Sequence, residues 1–211
     1  MRAILKSLGK ALIVSAATAA VISMAAAPAL AAATWSVHPG GSVTGAATAA
    51  TVTDSTKGLS LTCTSSKAIG SLKSGSGLPG AGIGTVTSFA FSSCTAGASA
   101  TVTVTGASLN AVTFTTTKVA KMTITKFHGT FTVSVLPGCS ATVDGTSATA
   151  HNGLVKATFS NKTDALKVLA TGGNLHLYNP TSGCGTAFSN GDAVNFTASY
   201  KLSPKQAITS P

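Results

Sequence analysis

Residues 194–201 read VNFTASYK, in which Val194, Phe196, Ala198 and Tyr200 alternate with Asn195, Thr197, Ser199 and Lys201. A period of two puts the apolar side chains on one face of an extended segment and the polar ones on the other. That is an antiparallel strand with one buried and one wet face. Working outward, the same pattern recurs. Leu175 and Leu177 alternate with His176 and Tyr178, and Val155, Ala157 and Phe159 with Lys156 and Thr158. Phe131, Val133 and Val135 alternate with Thr130, Thr132 and Ser134. Turn formers lie between these runs. Asp144-Gly145 and Asn152-Gly153 read as type I′ hairpin turns, followed by NKTD (161–164), Gly172-Gly173 and Asn190-Gly191.

The first half is less regular. Leu59, Leu61 and Cys63 share one face of a strand, and Phe89 and Phe91 lie on another that leads to Cys94. Val102 and Val104 mark a third, expected to turn at Gly106, with two more over 111–117 and 119–125. DALKVLAT (164–171) allows a short helix capped by Thr163 or Asp164, but its composition favours a strand. Turn signals about every ten residues predict an all-β, antiparallel fold, a sandwich or a barrel. It spans 34–203 as a single domain, or as two sheet-like halves, about 34–126 and 127–203. Residues 204–211 read as a frayed C-terminal tail, or as a strand edge closed by Pro204.

The N-terminus predicts the compartment. Arg2, Lys6 and Lys10 precede an apolar run from Ala11 to Ala27 and an A-x-A site at Ala29-Leu30-Ala31. Residues 1–33 thus read as a signal peptide that is cut away, giving a secreted, extracellular protein. Disulfides persist there. Four cysteines (Cys63, Cys94, Cys139 and Cys184) make two bridges, and sequential pairing, Cys63–Cys94 and Cys139–Cys184, closes the shorter loops. No C-x-x-C pair or neighbouring histidine suggests a metal instead.

The 14 basic residues lose three with the leader, leaving 11 lysines against four aspartates, or +7. A positive field of that kind attracts anionic wall polymers or lipid head groups. Nucleic acid is a poor fit, because the mature chain has no arginine and few aromatics. Beyond the leader no stretch is long and apolar enough for a membrane helix.

Chemistry-bearing motifs are scarce. GSGLPG (75–80) matches G-x-G-x-x-G, yet Pro79 and more glycines follow where a helix would have to start, so it reads as a loop without a nucleotide. There is no G-x-S-x-G elbow. Four aspartates, with Asp144 and Asp192 beside glycine turns, make a carboxylate pair for glycoside hydrolysis improbable. No H-E-x-x-H and no histidine pair at i, i+2 or i+4 is present. We therefore expect no catalytic, cofactor or metal residues. Candidate surface-binding residues are Trp35, Lys118, Lys121, Lys126, His176 and Tyr178. Asn161-Lys162-Thr163 and Asn195-Phe196-Thr197 fit the glycosylation pattern, which a threonine-rich chain produces by chance.

The segments WSVHPGG (35–41), LTCTSSKAIGSLKSGSGLPGAGIGTVTSFAFSSC (61–94), GCSATVDGT (138–146), NLHLYN (174–179) and FTASYKLSP (196–204) resemble a family of small secreted actinobacterial proteins without an assigned activity. The resemblance implies an exported β-rich disulfide protein and carries no functional site. The function expected is non-enzymatic binding or support of the cell envelope, with anionic wall polymer or another secreted protein as partner. The alternatives are an inhibitor or toxin presenting residues 74–84, and a β-barrel pore former.

Overall fold

The computed structural model describes residues 34–211, so the expected leader lies outside the described residues. Among these there are fifteen strands, β1 to β15 in chain order, two single-turn 3-10 segments and no α-helix. β1 (Thr34–His38), β5 (Gly75–Pro79) and β15 (Ala207–Thr209) form a small sheet with β1 in the middle. The other twelve strands form eight staves. They are β2 (Gly41–Ala47) with β3 (Ala50–Asp54); β4 (Leu59–Leu72); β6 (Gly84–Cys94); and β7 (Ala100–Phe114). Next come β8 (Val119–Phe127) with β9 (Gly129–Val133), and β10 (Ser140–Asp144) with β11 (Gly153–Ser160). β12 (Ala165–Val168) with β13 (His176–Tyr178), then β14 (Asp192–Ser203), complete the set.

Each stave pairs antiparallel with the next. The last returns to the first, with Lys201 opposite Ala46 and Phe196 opposite Val52. The result is a closed, eight-stave, up-and-down barrel, the second of the two expected architectures. Closure pairs the first and last staves and leaves the main sheet without edges. Apolar residues of each stave point inward. Six of the eight phenylalanines are buried, as are Met122, Ile124 and Tyr200. Gly45 makes room for one of them, because a Cβ there would come within 2.8 Å of the Tyr200 Cβ. The Tyr200 hydroxyl meets Ser66 Oγ at 2.9 Å, and burial pushes its pKa up to about 12.

The outward positions are polar: Lys121, Thr123 and Thr125 on β8, Lys156 and Thr158 on β11, and Thr197, Ser199 and Lys201 on β14. A membrane-spanning barrel needs an outward apolar band. This one has its apolar set inside, so nothing in its outer face supports the pore reading. No described helix is long and apolar enough to cross a membrane.

Several turns differ from expectation. Asp144-Gly145 and Asn152-Gly153 are not hairpin turns. They flank an eight-residue excursion (145–152) within one stave, since β10 and β11 pair with β9 and β8 rather than with each other. Gly172-Gly173 sits in a similar excursion between β12 and β13. Gly106 (φ 73°) is a bulge inside β7, with the Thr105 N–H donating to the His128 carbonyl. The 75–80 segment is no loose loop but strand β5 against β1. Nor is the tail frayed. β15 pairs with β1, Ile208 is buried, and the Asn161 amide both donates to and accepts from the Ile208 backbone.

The small sheet plugs one end of the barrel with Trp35, Val37 and Ile208. The opposite end is open, and both bridges, Cys63–Cys94 and Cys139–Cys184, lie toward it. Cys139 and Cys184 tie the loop after β9 to the loop before β14, which stiffens the rim.

Candidate functional site

An eight-stave barrel is just wide enough to fill with side chains or to hold one small ligand. Here the plugged half is filled and the open half is not. A cavity of about 260 Å³ remains, walled by inward residues from every stave, among them Val52, Leu61, Val102, Phe131, Leu177 and Val194. Its rim carries Leu59 and Val135, two of the few large apolar side chains exposed to water, at 48% and 47%. At roughly 30 Å³ per water the space equals about nine waters. A wall so poor in hydrogen-bonding groups holds water badly and an apolar molecule well. The Cys139–Cys184 bridge ties the rim, and a cavity already held in shape takes little ordering to fill.

Asp54 is the acidic group in this wall, and it is buried. Ser60, Thr95 and Asn195 add the remaining polar side chains.

A second cluster lies on the barrel waist, where His128 joins β8 to β9 beside the 145–152 excursion. His128 Nδ1 is 2.9 Å from Asp144 Oδ2. The same oxygen accepts the His151 N–H at 2.9 Å, and Oδ1 accepts the N–H groups of Gly145 (2.6 Å) and Asn152 (3.1 Å). The imidazoles of His128 and His151 pack 4.1 Å apart. Burial of Asp144 acts to raise its pKa, but the hydrogen bonds from Gly145, His128, His151 and Asn152 together outweigh it and hold the carboxyl below its ordinary value. Ligand-type atoms of His128, Asp144 and His151 all lie within 4.8 Å of one another. Two groups already engage each Asp144 oxygen, and one of them is His128 Nδ1, so a cation could join the three only by displacing hydrogen bonds. The geometry therefore describes an anchor for the excursion better than a metal centre. Spacing along one strand could not reveal this trio, because three separate segments supply it.

The expected surface residues are scattered. Trp35 has no exposed face to offer, because it is buried in the plug, edge-on to Phe114 at 6.1 Å. Lys118, Lys121 and Lys126 are exposed but strung along β8 and its preceding turn. At about 3.3 Å per residue they span about 25 Å, too far for one pocket. His176 and Tyr178 do converge: His176 Nδ1 and the Tyr178 hydroxyl both reach the Gly145 carbonyl, at 2.9 and 3.0 Å. Nδ1 of His176 and the Tyr178 hydroxyl are thereby engaged in fixing the excursion. The cup residues and Asp54 were missed, since each reads as an ordinary inward position or a turn former.

Compared with protein-family models, with curated proteins and with solved structures, the chain matches none.

Proposed function

We propose that the protein is an exported, non-enzymatic binding protein that holds a small apolar molecule in the open end of its barrel. The observation that carries this is the 260 Å³ apolar cup beneath a disulfide-tied rim. Export is supported by the leader-like N-terminus and the paired cysteines. Each methylene buried contributes about 0.8 kcal/mol, or about fourfold in affinity. In a series of linear alcohols, affinity should therefore rise about fourfold per carbon and stop rising once the cup is full. Calorimetric titration reads this directly. Val194→Trp places a large ring in the cup and should weaken binding at least tenfold while leaving the far-ultraviolet circular dichroism unchanged. Equal binding by that variant would reject the site.

A second reading concerns the outer surface. All four aspartates are buried, while ten of the eleven lysines after the leader are exposed. The described exterior thus carries lysine charge with no acidic side chain beside it. This supports attachment to an anionic envelope polymer. The protein should be retained on a column of anionic wall polymer at low salt and elute by a few tenths molar, as screening shortens to a few ångströms. Passage without retention at low salt would remove this reading.

A further inference from the structure

Asp54 ends β3 on the same inward register as Ala50 and Val52, and is 4% exposed. Its Oδ1 accepts the N–H groups of Thr56 (2.9 Å) and Lys57 (3.0 Å), which sets the turn into β4. Its Oδ2 is buried with no hydrogen-bond partner. A buried acceptor left without a donor destabilises the empty protein. The neighbouring lysine does not relieve it. Lys57 Nζ donates to the Thr186 carbonyl at 2.8 Å and pairs with Asp192 Oδ2 at 3.4 Å. The other ten lysines point away from the barrel interior at exposed positions. Asp164 Oδ2 is also without a partner, but Asp164 lies in the turn tied to Gln206 and is not part of the cup. Of the two, only Asp54 lines the cavity; its Oδ2 has no exposed surface in the empty cup, so a ligand reaches it by turning the carboxyl.

We propose that the cup takes an amphipathic amine, with its apolar body in the barrel and its protonated amino group on Asp54 Oδ2. The proposal rests on the cup being a ligand site. An ammonium supplies both the missing donor and the missing counter-charge, and charge-assisted hydrogen bonds are about twice as strong as neutral ones. An alcohol supplies a donor without charge. A carboxylate brings a second acceptor to a site that already has one too many.

The test is calorimetric titration of the purified protein at pH 7 with octylamine, octanol and octanoate, which share one chain length. Octylamine should bind at least tenfold more tightly than octanol, with octanoate weakest. The lysine-rich exterior favours octanoate, so the expected order runs against the surface field. Asp54→Asn should abolish the preference for the amine, so that octylamine and octanol bind that variant equally. Octanoate binding as well as octylamine, octanol equalling octylamine, or an amine preference that survives Asp54→Asn would each overturn the proposal while leaving the cup in place. Failure of all three compounds to bind would overturn the cup itself. Should Asp54→Asn no longer take up octanol, the ranking on the unaltered protein decides alone.

Discussion

Phe89→Ala should lower the unfolding free energy by about 3–5 kcal/mol, a large part of what a domain of this size possesses. Phe89 sits on β6 at the middle of the barrel and is 1% exposed. Its ring lies 4.8 Å from that of Phe196, 5.9 Å from Tyr200 and 6.2 Å from Phe127, rings carried by β14 and β8. These side chains hold opposite walls of the barrel together, so truncating one leaves a gap that paired strands cannot easily collapse. The comparison is Phe188→Ala, a partly buried ring in the loop before β14, expected to cost much less. Urea unfolding of the two variants measures the difference. Equal costs would mean that the aromatic centre does not hold the barrel closed.

Asp144→Ala should be the next most damaging change, at about 3 kcal/mol near neutral pH. It removes the acceptor of four hydrogen bonds and leaves donors of the 145–152 excursion and His128 without a partner. The pH dependence follows from the lowered pKa. A carboxyl held below its unfolded value, about 3.9, contributes stability that is fully present above that pH. The contribution is lost as pH falls through the folded-state value. The gap between the original protein and Asp144→Ala should therefore narrow as pH falls below about 4. A gap that stays constant through pH 2 would show that the carboxylate charge plays no part.

Much of this architecture was legible before the structure. VNFTASYK lies on β14 with Phe196, Ala198 and Tyr200 inward, as its alternation requires. The cysteines pair in sequence because Cys63 and Cys94 face each other on adjacent staves. What could not be read was how staves are interrupted. Asp-Gly and Asn-Gly are good turn formers wherever the chain bends, and the same dipeptides serve a hairpin or the ends of an excursion. Only the pairing of β10 with β9, and of β11 with β8, distinguishes these cases. Of the two readings of the tail, a frayed end or a strand edge after Pro204, the first fails for a similar reason. Its single large apolar residue in strand, Ile208, gives no periodicity, and its order comes from Asn161 and β1, both far away in sequence.

The candidate site was hardly legible. A valine that lines a cavity and one that packs against a neighbour look alike in a strand. Val102 and Val104 are an example: the first faces the cup and the second is fully packed. Asp54 in the sequence Asp-Ser-Thr-Lys-Gly announces a turn, and its Oδ1 does that work. Nothing local shows that its other oxygen is enclosed.

The most direct measurement is methyl nuclear magnetic resonance of the protein titrated with a small apolar ligand such as octanol. Methyl signals of Val52, Leu61, Val102 and Val194, around the open cup, should shift and saturate with one affinity, while those of Leu109 and Ile208 toward the plug stay in place. Shifts confined to outward methyls such as Ile69 and Val112, or growing without saturation, would contradict a barrel that carries its ligand inside.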